Sequence, residues 1–155
     1  MTPIDLIDEL AEEYKRLFRD NLYKSPLGER VPIGVYKHAL PINETDDDAD
    51  PVPWIIVRLN SGEDKGTGDS FNTVKLVTII CTWDDSLDSQ GYRDILNIIQ
   101  KIYKRFATSP NLNGKAAFKG EFDWVLQEDD YYPYYFGACS LEFHIPAIRR
   151  EDPFS

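Results

Sequence analysis

Apolar positions along the chain change period several times, and each change marks an element. Between residues 3 and 20, Ile7, Leu10, Ala11, Tyr14, Leu17 and Phe18 recur at three- and four-residue steps, with Glu9, Glu12, Glu13, Lys15, Arg16 and Arg19 on the other side. This spacing predicts an amphipathic helix. Thr2 suits its N-cap, Pro3 its first turn, and Asp5 the positive end of its dipole. A second helical run joins Tyr92, Ile95, Leu96, Ile99, Ile102, Tyr103 and Phe106, with Asp88 or Ser89 as candidate caps and Ser109-Pro110 as the stop.

The remaining apolar runs read as strands. Residues 31–40 form a first strand, with Pro32 favouring its start or an edge, and residues 54–59 a second. Residues 73–83 carry apolar groups on both faces, the mark of a central strand covered on both sides. Residues 117–127 alternate, placing Phe118, Phe122, Trp124 and Leu126 inward and Lys119, Glu121 and Asp123 outward. A last strand, 134–145, sets Tyr135, Gly137, Cys139, Leu141, Phe143 and Ile145 on one side. Residues 61–70, with Gly62, Gly66 and Gly68, read as a hairpin tip, and 41–53 as an exposed, acidic, Pro-flanked loop. Only one helix lies between strands, which excludes a doubly wound parallel sheet. The expected fold is α+β: a mostly antiparallel sheet of about five strands with two helices on one face. Residues 1–148 should form a single domain, followed by a polar tail at 149–155.

The chain has 155 residues, is 42% hydrophobic and 13% aromatic, and so can bury a core without metal or disulfide support. Its formal charge of −10 repels phosphodiester backbones and anionic lipid. Sequence-specific nucleic-acid binding and membrane binding are therefore not expected, although an acidic surface can lie near DNA without holding it. Cys81 and Cys139 fall inside apolar runs and read as buried thiols in a reducing compartment. The start lacks the basic and apolar regions of a signal peptide, so synthesis in the cytoplasm is expected.

Candidate chemistry is sparse. His144 beside Glu142 could form a base–carboxylate pair, and His38 stands near Lys37, but both histidines read first as surface or interface residues. Lys65 precedes Gly66 and a strand follows, the reverse of a P-loop. Asp46, Asp48 and Asp50 imitate the first ligands of a calcium loop, yet Pro51 stands where its glycine belongs. Asp84, Asp85 and Asp88 follow the central strand and could hold magnesium in a nuclease if Glu121 or Lys119 joined them. Helix capping accounts for Asp88 without that. No cofactor is expected.

Residues 131–136 (Tyr-Tyr-Pro-Tyr-Tyr-Phe) place five aromatics around one turn, more than an alternating strand can send inward. They read either as a docking surface or as a small second core beneath a helix. The chain also carries Val31-Pro-Ile-Gly-Val-Tyr36, Pro53-Trp-Ile-Ile-Val-Arg58, Val74-Lys-Leu-Val-Thr-Ile-Ile80, Gly91-Tyr-Arg-Asp-Ile-Leu96 and a final strand from Tyr135 to Pro146, in that order. In these it resembles the tail-terminator or tail-completion proteins of siphophages, the family that includes the terminator of phage lambda. The resemblance implies a ring, usually hexameric, that caps the tail tube, ends its polymerisation and meets the head connector. It also implies a place in the virion tail or neck. The expected partners are therefore copies of itself, the tube protein and the head–tail connector. In that family the long hairpin and subunit edges carry the contacts. This makes Lys65, Thr67, Asp69 and Phe71, with Tyr131, Tyr132 and Tyr134 of the aromatic turn, the interface candidates. Another head–tail connector or minor tail protein is the nearest alternative, and a magnesium-dependent nuclease a more distant one.

Overall fold

A computed structural model describes residues 1–42, 51–66 and 71–147. Helix α1 spans Pro3–Leu17 and α2 spans Tyr92–Thr108. Strands β1 (Leu22–Lys24) and β2 (Arg30–Pro32) form a small antiparallel ribbon. The main sheet has six strands in the order β3-β4-β5-β8-β7-β6: β3 is Gly34–Lys37, β4 Trp54–Glu63, β5 Phe71–Trp83, β6 Asn111–Leu112, β7 Ala116–Leu126 and β8 Tyr134–Pro146. All its pairs are antiparallel except β3 with β4.

The fold is therefore α+β with two helices over one face of a mostly antiparallel sheet, as expected. The sheet has six strands instead of about five, because the chain pairs again at Asn111–Leu112 just after α2. The single early strand expected over 31–40 is two strands: Ile33 is buried and separates β2 from β3, which belong to different sheets.

Alternation explains the layering. On β5, Val74, Leu76, Thr78, Ile80 and Thr82 are buried, and on β8 so are Tyr135, Cys139, Leu141, Phe143 and Ile145. Register pairs Leu76 with Leu141 and Thr78 with Cys139, so these sets share one face. Both helices lie on it: Leu6, Leu10, Tyr14 and Phe18 come from α1, and Ile95, Ile98, Ile102 and Phe106 from α2, all buried. Thr2 closes a capping box with Asp5, as its place before Pro3 predicts. Helix α2 starts differently from expectation. Its N-cap is Gly91 with no side-chain bond, while Asp88 accepts from the Gln90 amide within the preceding turn. Gly91 is required there because a Cβ would lie 2.3 Å from the Tyr135 ring.

Candidate functional site

Three places on the sheet project unusual chemistry. The first is the end where β4 and β5 join. Thr73 pairs with Glu63 on β4 and with His144 on β8, so these three side chains share the helix-free face. Phe71 stacks on the His144 ring at 4.0 Å and 14°. With Lys65 and Lys119 they line a pocket of about 230 Å³. Lys119 Nζ lies 3.5 Å from Glu142 Oε2. His144 Nε2 is buried without a hydrogen-bond partner among the described residues.

The second place is the aromatic turn. Tyr131 and Tyr132 are exposed, at 52% and 41%. Tyr132 Oη donates to the Asp85 carbonyl at 2.5 Å, and the Tyr131 ring meets Phe136 edge-on at 5.6 Å. Phe136 in turn meets Trp54 at 6.3 Å. Tyr134 is half-buried and pairs with Trp83 across β5 and β8. Tyr135 enters the main core, Phe136 and Trp54 make a minor cluster on the helix-free face where a small core beneath a helix was the expected alternative, and Tyr131 and Tyr132 remain accessible.

These two candidate sets do not converge. Phe71 pairs with Pro146 at one end of the β5–β8 ladder and Trp83 with Tyr134 at the other. Twelve residues of strand separate them, about 40 Å. They are two surfaces, not one. Thr67 and Asp69 lie outside the described residues, as do the acidic positions Asp46, Asp48 and Asp50.

The third place was not expected. Beyond β7 the sheet has only β6, which pairs Asn111 and Leu112 with Ala117 and Ala116. From Lys119 to Leu126 the outer edge of β7 has no strand partner among the described residues. Between Phe118 and Phe122 the register with β8 slips, and Gly120 takes φ +97° to allow it. Trp124 and Val125 follow, 55% and 57% exposed. Trp124 is on the helix-facing side, as alternation predicts, but not buried. It rims a groove of about 510 Å³ between α2 and β7, with Leu96, Tyr103 and Phe122. Alternation assigns a residue to a face, and only the lateral extent of the covering helix decides whether that face is dry.

Asp84 is engaged structurally. Its Oδ1 accepts from Lys24 Nζ at 3.1 Å and from the Ser86 amide at 2.9 Å. Burial would raise its pKa, but these bonds outweigh burial and hold the carboxyl below its ordinary value. Lys119 and Glu121 lie within the Phe118–Phe122 bulge, several residues along the sheet from Trp83, so neither joins Asp84. Among the described residues, no three His, Cys, Asp or Glu side chains converge as metal ligands. No described helix is long and apolar enough to cross a membrane.

No protein-family profile and no curated protein matches this chain.

Proposed function

We propose that this chain is a structural subunit that assembles edge to edge into a ring, and that the ring is the terminator of a long-tailed phage's tail tube. The observation that carries the first part is the unpaired outer edge of β7 with Trp124 and Val125 beside it. An open strand edge flanked by apolar side chains is a template for another chain, and a protein that stays monomeric normally blunts it. The other end of the sheet is β3, beyond which no described strand lies. Following the pairings from β3 through β4, β5 and β8, β7 runs antiparallel to β3. A neighbour displaced along the sheet would bring its β3 antiparallel to this β7. Two different edges meeting in this way make a heterologous contact, which closes into a ring when the rotation divides a full turn.

The tail-terminator part rests on the order of sequence patterns from residue 31 to residue 146, carried by a hairpin and sheet of the expected kind. The acidic balance of −10 suits a ring through which DNA passes unheld. Partners on this reading are other copies of the chain, the tube protein below and the head connector above.

Sedimentation of the purified chain tests the assembly, and particle morphology tests the role. The wild-type chain should form a concentration-dependent oligomer, and Val125→Lys with Trp124→Asp should leave a folded monomer. A monomer at every concentration, with no affinity for tube subunits, overturns the reading. Particles made without the protein should carry overlong tails. Filled heads beside free tails of normal length would assign it to the connector instead.

A further inference from the structure

We propose that the pocket between the β4–β5 hairpin and the C-terminal end of β8 is an oxyanion site, taking a phosphate group or a carboxylate. The inference does not rest on ring assembly. Its centre is His144, whose Nε2 is buried and has no hydrogen-bond partner among the described residues. A buried ring nitrogen without a partner is rare, because it has lost water and gained nothing in exchange. Phe71 stacks on one face of the imidazole at 4.0 Å and 14°. Lys65 and Lys119 line the same pocket. Lys65 has no hydrogen bond or ion pair among the described residues. Lys119 makes one long contact, 3.5 Å to Glu142, and has donors to spare. The Thr73 side chain lines the same space.

The donor set selects the ligand class. His144 with Nε2 protonated, two lysines and a hydroxyl are donors, and an oxyanion supplies several acceptor lone pairs in a small volume. A divalent cation would need carboxylates to converge, and among the described residues Glu63 is the only one in the lining. Glu63 opposes the ligand and keeps the site weak. The pocket of about 230 Å³ suits a compact group and not an extended one.

The two histidines make the test specific, because His38 lies after β3, away from this pocket, and serves as an internal control. Inorganic phosphate, and separately acetate, is titrated into the full chain while the Hε1 resonances are followed by NMR. His144 should shift with saturation at a dissociation constant on the order of 1 mM, and His38 should stay. The Lys65→Ala, Lys119→Ala variant, whose exposed side chains leave the core intact, should bind at least about tenfold more weakly. Glu63→Gln should bind more tightly. Sedimentation with and without phosphate then separates the sources: dissociation of oligomers by phosphate assigns the pocket to a carboxylate of a neighbouring chain, and unchanged mass assigns it to free phosphate. No saturable shift at about 50 mM of either anion overturns the proposal. So does an affinity that the double lysine variant leaves unchanged.

Discussion

Tyr14 carries the one buried side-chain hydrogen bond between helix and sheet centre among the described residues, its Oη 2.8 Å from Thr78 Oγ1. Both residues are fully buried, so Thr78 has no water to fall back on. Tyr14→Phe keeps the ring and strands the hydroxyl, and should cost about 1–3 kcal/mol, read as a lower denaturation midpoint with unchanged m. Burial also raises the Tyr14 phenol well above its ordinary value and pushes the Cys139 thiol up to about 12. Neither ionises in the folded chain near neutral pH, and Cys81 is likewise a buried thiol, which agrees with reading the cysteines as small hydrophobes. Glu13 is a different case. It accepts from Arg105 Nε at 2.7 Å and from Arg16 Nη2 at 2.8 Å, joining α1 to α2. Burial would raise its pKa, but the two arginine bonds outweigh it and lower the value. A carboxylate whose pKa is depressed on folding contributes stability above its unfolded value, near 4.3, and loses it as pH falls through the folded value. Glu13→Gln should therefore cost about 1–2 kcal/mol at pH 7. The penalty should shrink toward zero as denaturation is repeated at progressively lower pH below about 4.

At the scale of elements, the contact that positions α2 is Gly137. A Cβ there would sit 2.4 Å from Ile95 Cγ2 and 3.4 Å from the Val125 carbonyl. The isoleucine is a fully buried, β-branched side chain and the other neighbour is backbone, so neither can yield cheaply. Gly137→Ala should lift α2 off β8 and cost roughly 1–3 kcal/mol, with near-UV circular dichroism changing more than far-UV. Both helices and the last strand were legible in the sequence because each keeps one period over ten or more residues. The central strand was legible from its apolar run, but the cover expected on both its faces is wrong for the helices, which pack on one face only. The two-residue β6 was not, since no period can be read from so short a run. The β2–β3 break was missed because Ile33, between Pro32 and Gly34, continues an apolar run while the chain changes sheets. The open edge of β7 left no trace either. Phe122, Trp124 and Leu126 alternate as an inner strand would, and only the pairing register reveals that the pairing with β6 stops at Ala117, with no described strand outside them. His144 and Lys119 were each visible as residues, but their meeting with Phe71 depends on strand register, which single-chain periodicity does not specify.

At the scale of the whole molecule, charge and edge oppose each other. A chain of formal charge −10 repels its own copies, whereas Trp124, Val125 and the open strand beside them favour contact. Which term governs association can be read from salt. Screening shortens the reach of the repulsion from about 10 Å at 0.1 M ionic strength to about 3 Å at 1 M, while apolar contact and backbone pairing are little affected. If the β7 edge carries assembly, the oligomer should tighten as sodium chloride rises from about 0.1 M to about 1 M, measured by sedimentation across a dilution series. Trp124→Ala should weaken it by roughly thirtyfold at every salt concentration, as expected for an aromatic anchor at the centre of an interface. It should leave the thermal midpoint of the monomer nearly unchanged, because the side chain is mostly in water there. The opposite salt response, dissociation as ionic strength rises, would mean that ion pairs hold the subunits. The contact would then have to be sought at the lysines of the hairpin end, with the β7 edge left in solvent.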